Sequence, residues 1–362
     1  MLMDHTRDFF ASGAFNPRDV QEPLIFLTRW ITHLCAPTFV LLAGISIFLW
    51  QQRHTKIQTA QFLLTRGAFL IFLEFTLVKF GWTFSFGTEL FLMQVIWMLG
   101  LSMILLVAII YLPYKIILVG SLVMIVSHNL LDSVTATAIG WPKPLWMLLH
   151  EQGILMMSAD SRLFIVYPII PWVAVMALGY CLGKLYLQPN DTRIKQLVIM
   201  GFGSVLVFII LRFINIYGDP TPWQLQDSIF ASLLSFIDAE KYPPSLLYLL
   251  MTLGPALLFL ALFEKMSFPN KFLGVYGKVP LFFYVTHLML IHLTVVVVTF
   301  FMGKEIDWLF SDPFFKKPKG FGYELGTVYL VSLIIIFMLF PMCVYFRRFK
   351  TEKKLHWWSK YI

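Results

Sequence analysis

Apolar residues come in long unbroken runs, with no period-two alternation. Nine stretches are long enough to cross a bilayer, which takes about 20 mostly apolar residues. They lie near 31–50, 62–80, 90–111, 114–131, 165–186, 196–214, 245–263, 279–301 and 325–346. A β-barrel would show alternating strands of about ten residues instead. The pattern predicts an all-α polytopic transmembrane helix bundle of nine full spans, forming one domain over 1–362. Composition agrees: 59% of the 362 residues are hydrophobic and 13% charged, about half the charge of a soluble protein. That excludes a soluble domain, a disordered chain and a coiled coil. Cys35, Cys181 and Cys343 form no CxxC pair, so neither zinc nor a disulfide framework is expected, and no metal site is predicted.

The polar connections alternate in charge. Arg53, Lys56 and Arg66; Lys184, Arg193 and Lys195; Lys265, Lys271 and Lys278; and the tail 347–362 are basic, as is the short turn at Lys115. The positive-inside rule places these at the cytoplasm. The longer, less basic connections 81–89, 132–164, 215–244 and 302–324 then face the other side. The net charge of 28 − 20 = +8 therefore reflects orientation, and no nucleic-acid partner is implied. Residues 1–10 fall on the outer side and read as the end of a first helix whose inner part is missing, so a truncated start is expected. Two outer segments, 144–158 and 225–237, carry apolar residues in runs too short to span and are expected to lie on the membrane or to roof a cavity.

Five polar clusters gather on this outer side: Asp4-His5-Thr6-Arg7-Asp8; Arg29 and His33; His128 and Asp132; Arg212 and Asn215, leading into Asp219; and Lys241-Tyr242. Arg29 and His33, like His128 and Asp132, are four apart and share a helical face. Ionisable groups within spans are costly and usually line cavities or pair. Their convergence points to one polar site opening outward. Deeper lie Glu74, about 18 Å from the inner end of its span at 1.5 Å per residue, and His287, about 12 Å from its own. Tyr167-Pro168-Ile169-Ile170-Pro171-Trp172 is expected to kink or break its helix, and Gly179 and Gly183 form a GxxxG packing motif. No phosphate loop, HExxH, GxSxG or kinase signature occurs.

The segments DHTRDFF (4–10), TRWITHLCAPTFVLLAG (28–44), RGAFLIFLE (66–74), HNLLD (128–132), YPIIPWVAVMALGYCLG (167–183), YGDPTPW (217–223), KYPPSLLYLLMTLGP (241–255) and GKVPLFFYVTH (277–287) resemble bacterial membrane proteins related to the catalytic domain of heparan-alpha-glucosaminide N-acetyltransferase. The resemblance covers essentially the whole chain. It implies a membrane acyltransferase that takes an acyl group from a cytoplasmic donor, acetyl-CoA or another acyl-CoA, and delivers it to a sugar or glycan-like acceptor. It also implies a multi-pass protein of a bacterial inner membrane with a cytoplasmic C-terminus, in contact with membrane lipids. A homodimer is left open. In related acyltransferases an arginine precedes a first-helix histidine by eleven positions. His5 matches that histidine, and the arginine would lie before Met1. The catalytic histidine of the lysosomal enzyme's first lumenal loop has no counterpart between Phe10 and Thr28.

Acyl transfer needs a base and groups that place the acceptor and donor. His5 is the expected base, oriented by Asp4 or Asp8, with His128 a second candidate. Arg29, His33, Asp132, Arg212 and Lys241 are expected at the acceptor, Tyr284 and His287 along the acyl-donor path, and Arg53, Lys56, Lys271 and Lys278 at the CoA phosphates. The competing class is a transporter of a small polar or acyl-bearing solute, which buried Glu74, His287 and broken helices also fit. No pair of broken segments in two repeated halves supports it.

Overall fold

A computed structural model describes residues 1–12, 16–266 and 272–352. Among these residues, fifteen α-helices and three short strands follow one another. A short helix α1 (Leu2–Phe10) leads to α2 (Pro23–His33) and α3 (Cys35–Gln51), which form one span broken near Leu34. Next come α4 (Lys56–Leu73), a π-helical turn (Glu74–Val78) and α5 (Lys79–Thr83). Strand β1 (Leu90–Met93) precedes α6 (Val95–Ile109) and α7 (Tyr114–Ser127). Then α8 (Lys143–Leu149), β2 (Gly153–Met156) and β3 (Arg162–Ile165) lead into α9 (Trp172–Leu182). The chain continues as α10 (Asn190–Ile214), α11 (Ile229–Ile237), α12 (Leu246–Lys265), α13 (Leu273–Lys278), α14 (Pro280–Phe301) and α15 (Leu325–Glu352).

Every predicted stretch is helical over most of its length. Among the described residues, seven helical stretches are long and apolar enough to cross a membrane: Pro23–Gln51, Lys56–Thr83, Tyr114–Leu131, Asn190–Ile214, Leu246–Lys265, Pro280–Phe301 and Leu325–Lys350. The stretches read as 90–111 and 165–186 hold the shorter apolar helices Val95–Ile109 and Trp172–Leu187. Before Val95 the strand β1 takes the residues assigned to the span's beginning, whereas before Trp172 a strand ends at Ile165 and residues 166–171 are irregular. In the second stretch the helix starts directly after Pro171 rather than kinking there. Proline has no N–H to give a helix interior and disfavours helix in the residue before it. Segment 144–158 likewise divides into α8 and β2, whereas 225–237 forms the expected short helix α11. The tail expected from 347 begins as a continuation of α15.

The strands order β1-β3-β2, with β1 and β3 parallel and β2 and β3 antiparallel. Leu90 faces Arg162, Met93 faces Ile165, and Ile154 faces Phe164. The parallel pair sets the starts of α6 and α9 on the same side. The first N–H groups of α6 have no partner within the helix, and Glu74 supplies one: its Oε2 accepts the Trp97 N–H at 2.8 Å. Glu74 is thus an N-terminal cap contributed by the neighbouring helix, made available by the π-helical turn that begins there. Glu74→Leu is expected to lower stability by about 1–3 kcal/mol, the cost of an orphaned buried donor. Glu74→Gln, which keeps the acceptor, is expected to stay close to the parent in a thermal melt in detergent.

Helices pack by backbone approach at glycines, α3 on α9 and α4 on α6. Gly44 faces Met176 and Gly179 faces Leu41 across the first pair, and Gly67 and Gly100 face each other across the second. The GxxxG reading holds here: Gly183 seats Phe48 of α3, one turn along from Gly179. Helix α1 lies against α14 and α15. Its last carbonyls are closed by Lys317, whose Nζ donates to the carbonyls of Asp8, Phe9 and Ala11 at 3.2, 3.3 and 2.8 Å. Burial pushes the Lys317 ammonium down to about 8, against the pull of Asp8. Between about 8 and the ordinary lysine value of about 10.4, the folded chain therefore binds fewer protons than the unfolded one. Stability is expected to rise with pH across that window. Melting curves of the parent should show the rise, and those of Lys317→Met should lack it.

Candidate active site

A cavity of about 1070 Å³ runs between the two ends of the bundle. At the polar end it is lined by Asp4, Arg7, Asp8, Arg29, Gln152 and Lys241, and at the basic end by Trp50, Phe62, Arg66, Tyr276 and Gly277. Its middle is apolar, with Phe39, Leu42, Ala43 and Ile47 on one wall and Ile96, Leu99 and Met103 on another. The sequence places these side chains simply. Helix α3 carries residues from Cys35 to Trp50 along its whole length, and α14 contributes Pro280, Leu281, Phe283 and Tyr284 from its first turns.

His5 stands on the wall of this cavity. Its Nδ1 lies 2.9 Å from Nε2 of His287, the two rings nearly parallel with centroids 5.0 Å apart. Trp82 meets the His5 ring edge-on at 4.9 Å, and Tyr284 does so at 5.9 Å. Tyr284 lines the cavity, and its hydroxyl is buried with no hydrogen-bond partner among the described residues. Tyr284 and His287, expected together on a donor path, do come together around His5.

The carboxylates expected to orient His5 are engaged elsewhere. Asp4 accepts the Thr32 hydroxyl at 2.8 Å and pairs with Arg7 at 2.8 Å, with Lys241 Nζ at 4.0 Å. Asp8 lies 3.8 Å from Arg7. Adjacent helical positions point in different directions, so Asp4 cannot face the partner of its neighbour His5. These groups instead form a charged rim around the cavity. Burial opposes the charge on Lys241, but Tyr242 and Asp4 outweigh it and hold the ammonium above its usual range. Arg29 joins the rim and pairs with Asp238 at 3.3 Å.

His33, Asp132, Arg212 and His128 lie outside the lining. Both ring nitrogens of His33 are buried without a partner among the described residues. His128 spends both ring nitrogens on carbonyls, Ile125 and Pro244, each at 2.8 Å. Asp132 pairs with His150 at 2.9 Å and accepts from Asn129 at 2.7 Å. Arg212, 1% exposed, donates to the carbonyls of Thr221, Ser235, Phe236 and Asp238, closing the end of α11. These three hold connections in place. At the basic end Arg53, Lys56 and Lys278 are exposed, and Lys56 lies over the Tyr111 ring at 5.6 Å. Arg53 follows the lining residue Trp50 by three positions, and Lys278 follows Gly277. Lys271 lies outside the described residues.

Several lining residues stand outside the expected polar clusters: Arg66, Gln94 and Gln152. Arg66 carried a signal, since it stands ten residues into the helix that begins at Lys56 and was counted only as a loop charge. It lies over the Phe62 ring at 5.7 Å.

A helical membrane protein with a cavity joining its two ends, a half-buried histidine on the cavity wall and a buried histidine behind it, is the class that these features define. Residues 3–217 match the model of the family described as heparan-alpha-glucosaminide N-acetyltransferase, catalytic. That is more than half of the chain, and the chain belongs to this family of membrane acyltransferase-like proteins. No curated protein and no solved structure matches it. His5 and Arg29 fall inside the matched stretch; Lys241, Tyr284 and His287 lie beyond it.

Proposed function

We propose that the chain transfers an acetyl or other acyl group from a cytoplasmic acyl-CoA to a sugar-like acceptor at the outer face of a bacterial inner membrane, its C-terminus at the cytoplasm. The observation that carries this reading is the cavity, which joins a basic end to a charged rim with His5 on its wall. Arg66, with Arg53, Lys56 and Lys278 around that mouth, supplies cations for CoA phosphates. The apolar middle suits a pantetheine arm and acyl chain. The rim of Asp4, Arg7, Asp8, Arg29 and Lys241 offers both donors and acceptors to a polyhydroxylated acceptor.

In the reaction His5 takes the proton from the acceptor amine or hydroxyl as its nitrogen or oxygen attacks the thioester carbonyl. The unpartnered Tyr284 hydroxyl donates to the developing oxyanion. The C–S bond then breaks, the proton passes from His5 to the departing sulfur, and free CoA leaves with an acylated acceptor.

The test is acetyl-CoA binding by the detergent-solubilised protein, followed by thermal shift with CoA as the comparison. Stabilisation that weakens in Arg66→Gln is expected. In proteoliposomes, acceptor-dependent release of CoA should follow. Solute uptake with no CoA release would replace this reading with a transporter.

A further inference from the structure

We infer that His287 is a positioning residue that fixes the tautomer of His5 and leaves the nitrogen required for base catalysis free. The chemical consequence of this placement rests on the acyltransferase reading above, but the geometry stands alone. His287 Nδ1 lies 2.8 Å from the carbonyl of Phe283, one turn back on α14. A carbonyl only accepts, so the proton of His287 is on Nδ1. A neutral imidazole carries one N–H, and Nε2 of His287 is therefore a lone pair. The atom facing it at 2.9 Å is His5 Nδ1, which must donate. The proton of His5 is thereby placed on Nδ1, and its Nε2 holds the lone pair. Among the described residues nothing else hydrogen-bonds to the His5 ring.

Among the described residues neither ring touches a carboxylate, and His287 is fully buried, so no such neighbouring anion holds either of them charged. The arrangement is a two-step relay of orientation: backbone carbonyl to His287, His287 to His5. A helix backbone is a rigid anchor, which makes His287 a fixed acceptor. Stacking of Phe283 on the His287 ring at 5.2 Å holds its plane. A carboxylate commonly orients a catalytic histidine by accepting its N–H. Here an imidazole does so, and no charge is buried.

The test uses full-length protein in lipid nanodiscs with ring-15N histidine, the His5 signal being the one lost in His5→Gln. In the parent, His5 is expected as the Nδ1–H form with Nε2 bare. In His287→Leu nothing fixes the proton to Nδ1, and the Nε2–H form should appear. His287→Gln presents an amide oxygen near the position of Nε2 and should restore the parent tautomer. Turnover should follow. His287→Leu is expected to lose on the order of 100-fold in kcat with KM for acetyl-CoA unchanged, less than the roughly 10⁴ seen where a wrong tautomer is locked in place. His287→Gln should recover most of it. A parent His5 bearing its proton on Nε2, or a tautomer unmoved by His287→Leu, overturns the inference. So does an equal loss in both variants, which is the mark of a packing defect. A tautomer shift as described in a protein that never releases CoA sustains the inference about His287 and sinks the acyltransferase reading instead.

Discussion

His5→Gln is expected to remove acyl transfer, lowering kcat by about 10²–10⁴, while leaving the fold and donor binding in place. The size follows from what the side chain contributes. A positioned base is the group that lets an amine or hydroxyl attack a thioester near neutral pH, and glutamine has no basic lone pair to take the proton. The fold is spared because the glutamine amide can still donate to His287 Nε2, so the buried acceptor is not orphaned. The ring contacts with Trp82 and Tyr284 are lost, a packing cost spread over a site that already borders a cavity. Labelled acetyl-CoA supplied to proteoliposomes, with CoA release as the readout and the melting temperature as the control for folding, decides the matter. Full turnover in the glutamine variant would remove His5 from the mechanism.

The bundle was legible because a bilayer imposes length and apolarity on each span, and both are properties of a contiguous stretch of sequence. The starts of α6 and α9 were not. Their preceding strands pair across 72 positions, Leu90 with Arg162; the four apolar residues of β1 are indistinguishable from four in a helix when everything around them is apolar too, and so is most of the irregular segment 166–171 ahead of α9. The site divided in the same way. The outer clusters were found by their charge, and the rim gathers Asp4, Arg7, Asp8, Arg29 and Lys241. His128 and Asp132 were grouped with them on a four-residue helical spacing. That spacing fails because His128–Leu131 is a 3-10 turn, where three residues complete a turn. His128 consequently faces Pro244 while Asp132 reaches His150. The pairing of His5 with His287 joins positions 282 apart, and no local pattern encodes it.

Gly44→Ala is expected to destabilise the bundle by about 3 kcal/mol or more, at the upper end of what overpacking costs. A Cβ at this position would lie 2.1 Å from the Met176 carbonyl oxygen and 2.6 Å from the Tyr180 nitrogen. Those are backbone atoms of α9 and cannot rotate away as a side chain would. The opposing Gly179 is equally constrained, since a Cβ added there would lie 2.2 Å from the Leu41 carbonyl oxygen, so the two helices must move apart as bodies. Within a membrane, helix association rests on close packing because lipid is as apolar as the helices, and separation is not offset by exclusion of water. The consequence reaches the site, because α3 also presents Phe39, Leu42, Ile47 and Trp50 to the cavity, and acetyl-CoA binding should weaken with stability. Gly203→Ala in α10 supplies the opposite expectation. Nothing lies within 4 Å of its added Cβ, and alanine favours a helix interior over glycine by up to about 1 kcal/mol. That variant should melt at or above the parent. Melting curves in one detergent compare the two substitutions directly, the same chemistry made at a backbone contact and on an open helix face. If Gly44→Ala melts with the parent, α3 and α9 do not touch backbone to backbone, and the wall that α3 gives to the cavity must be redrawn.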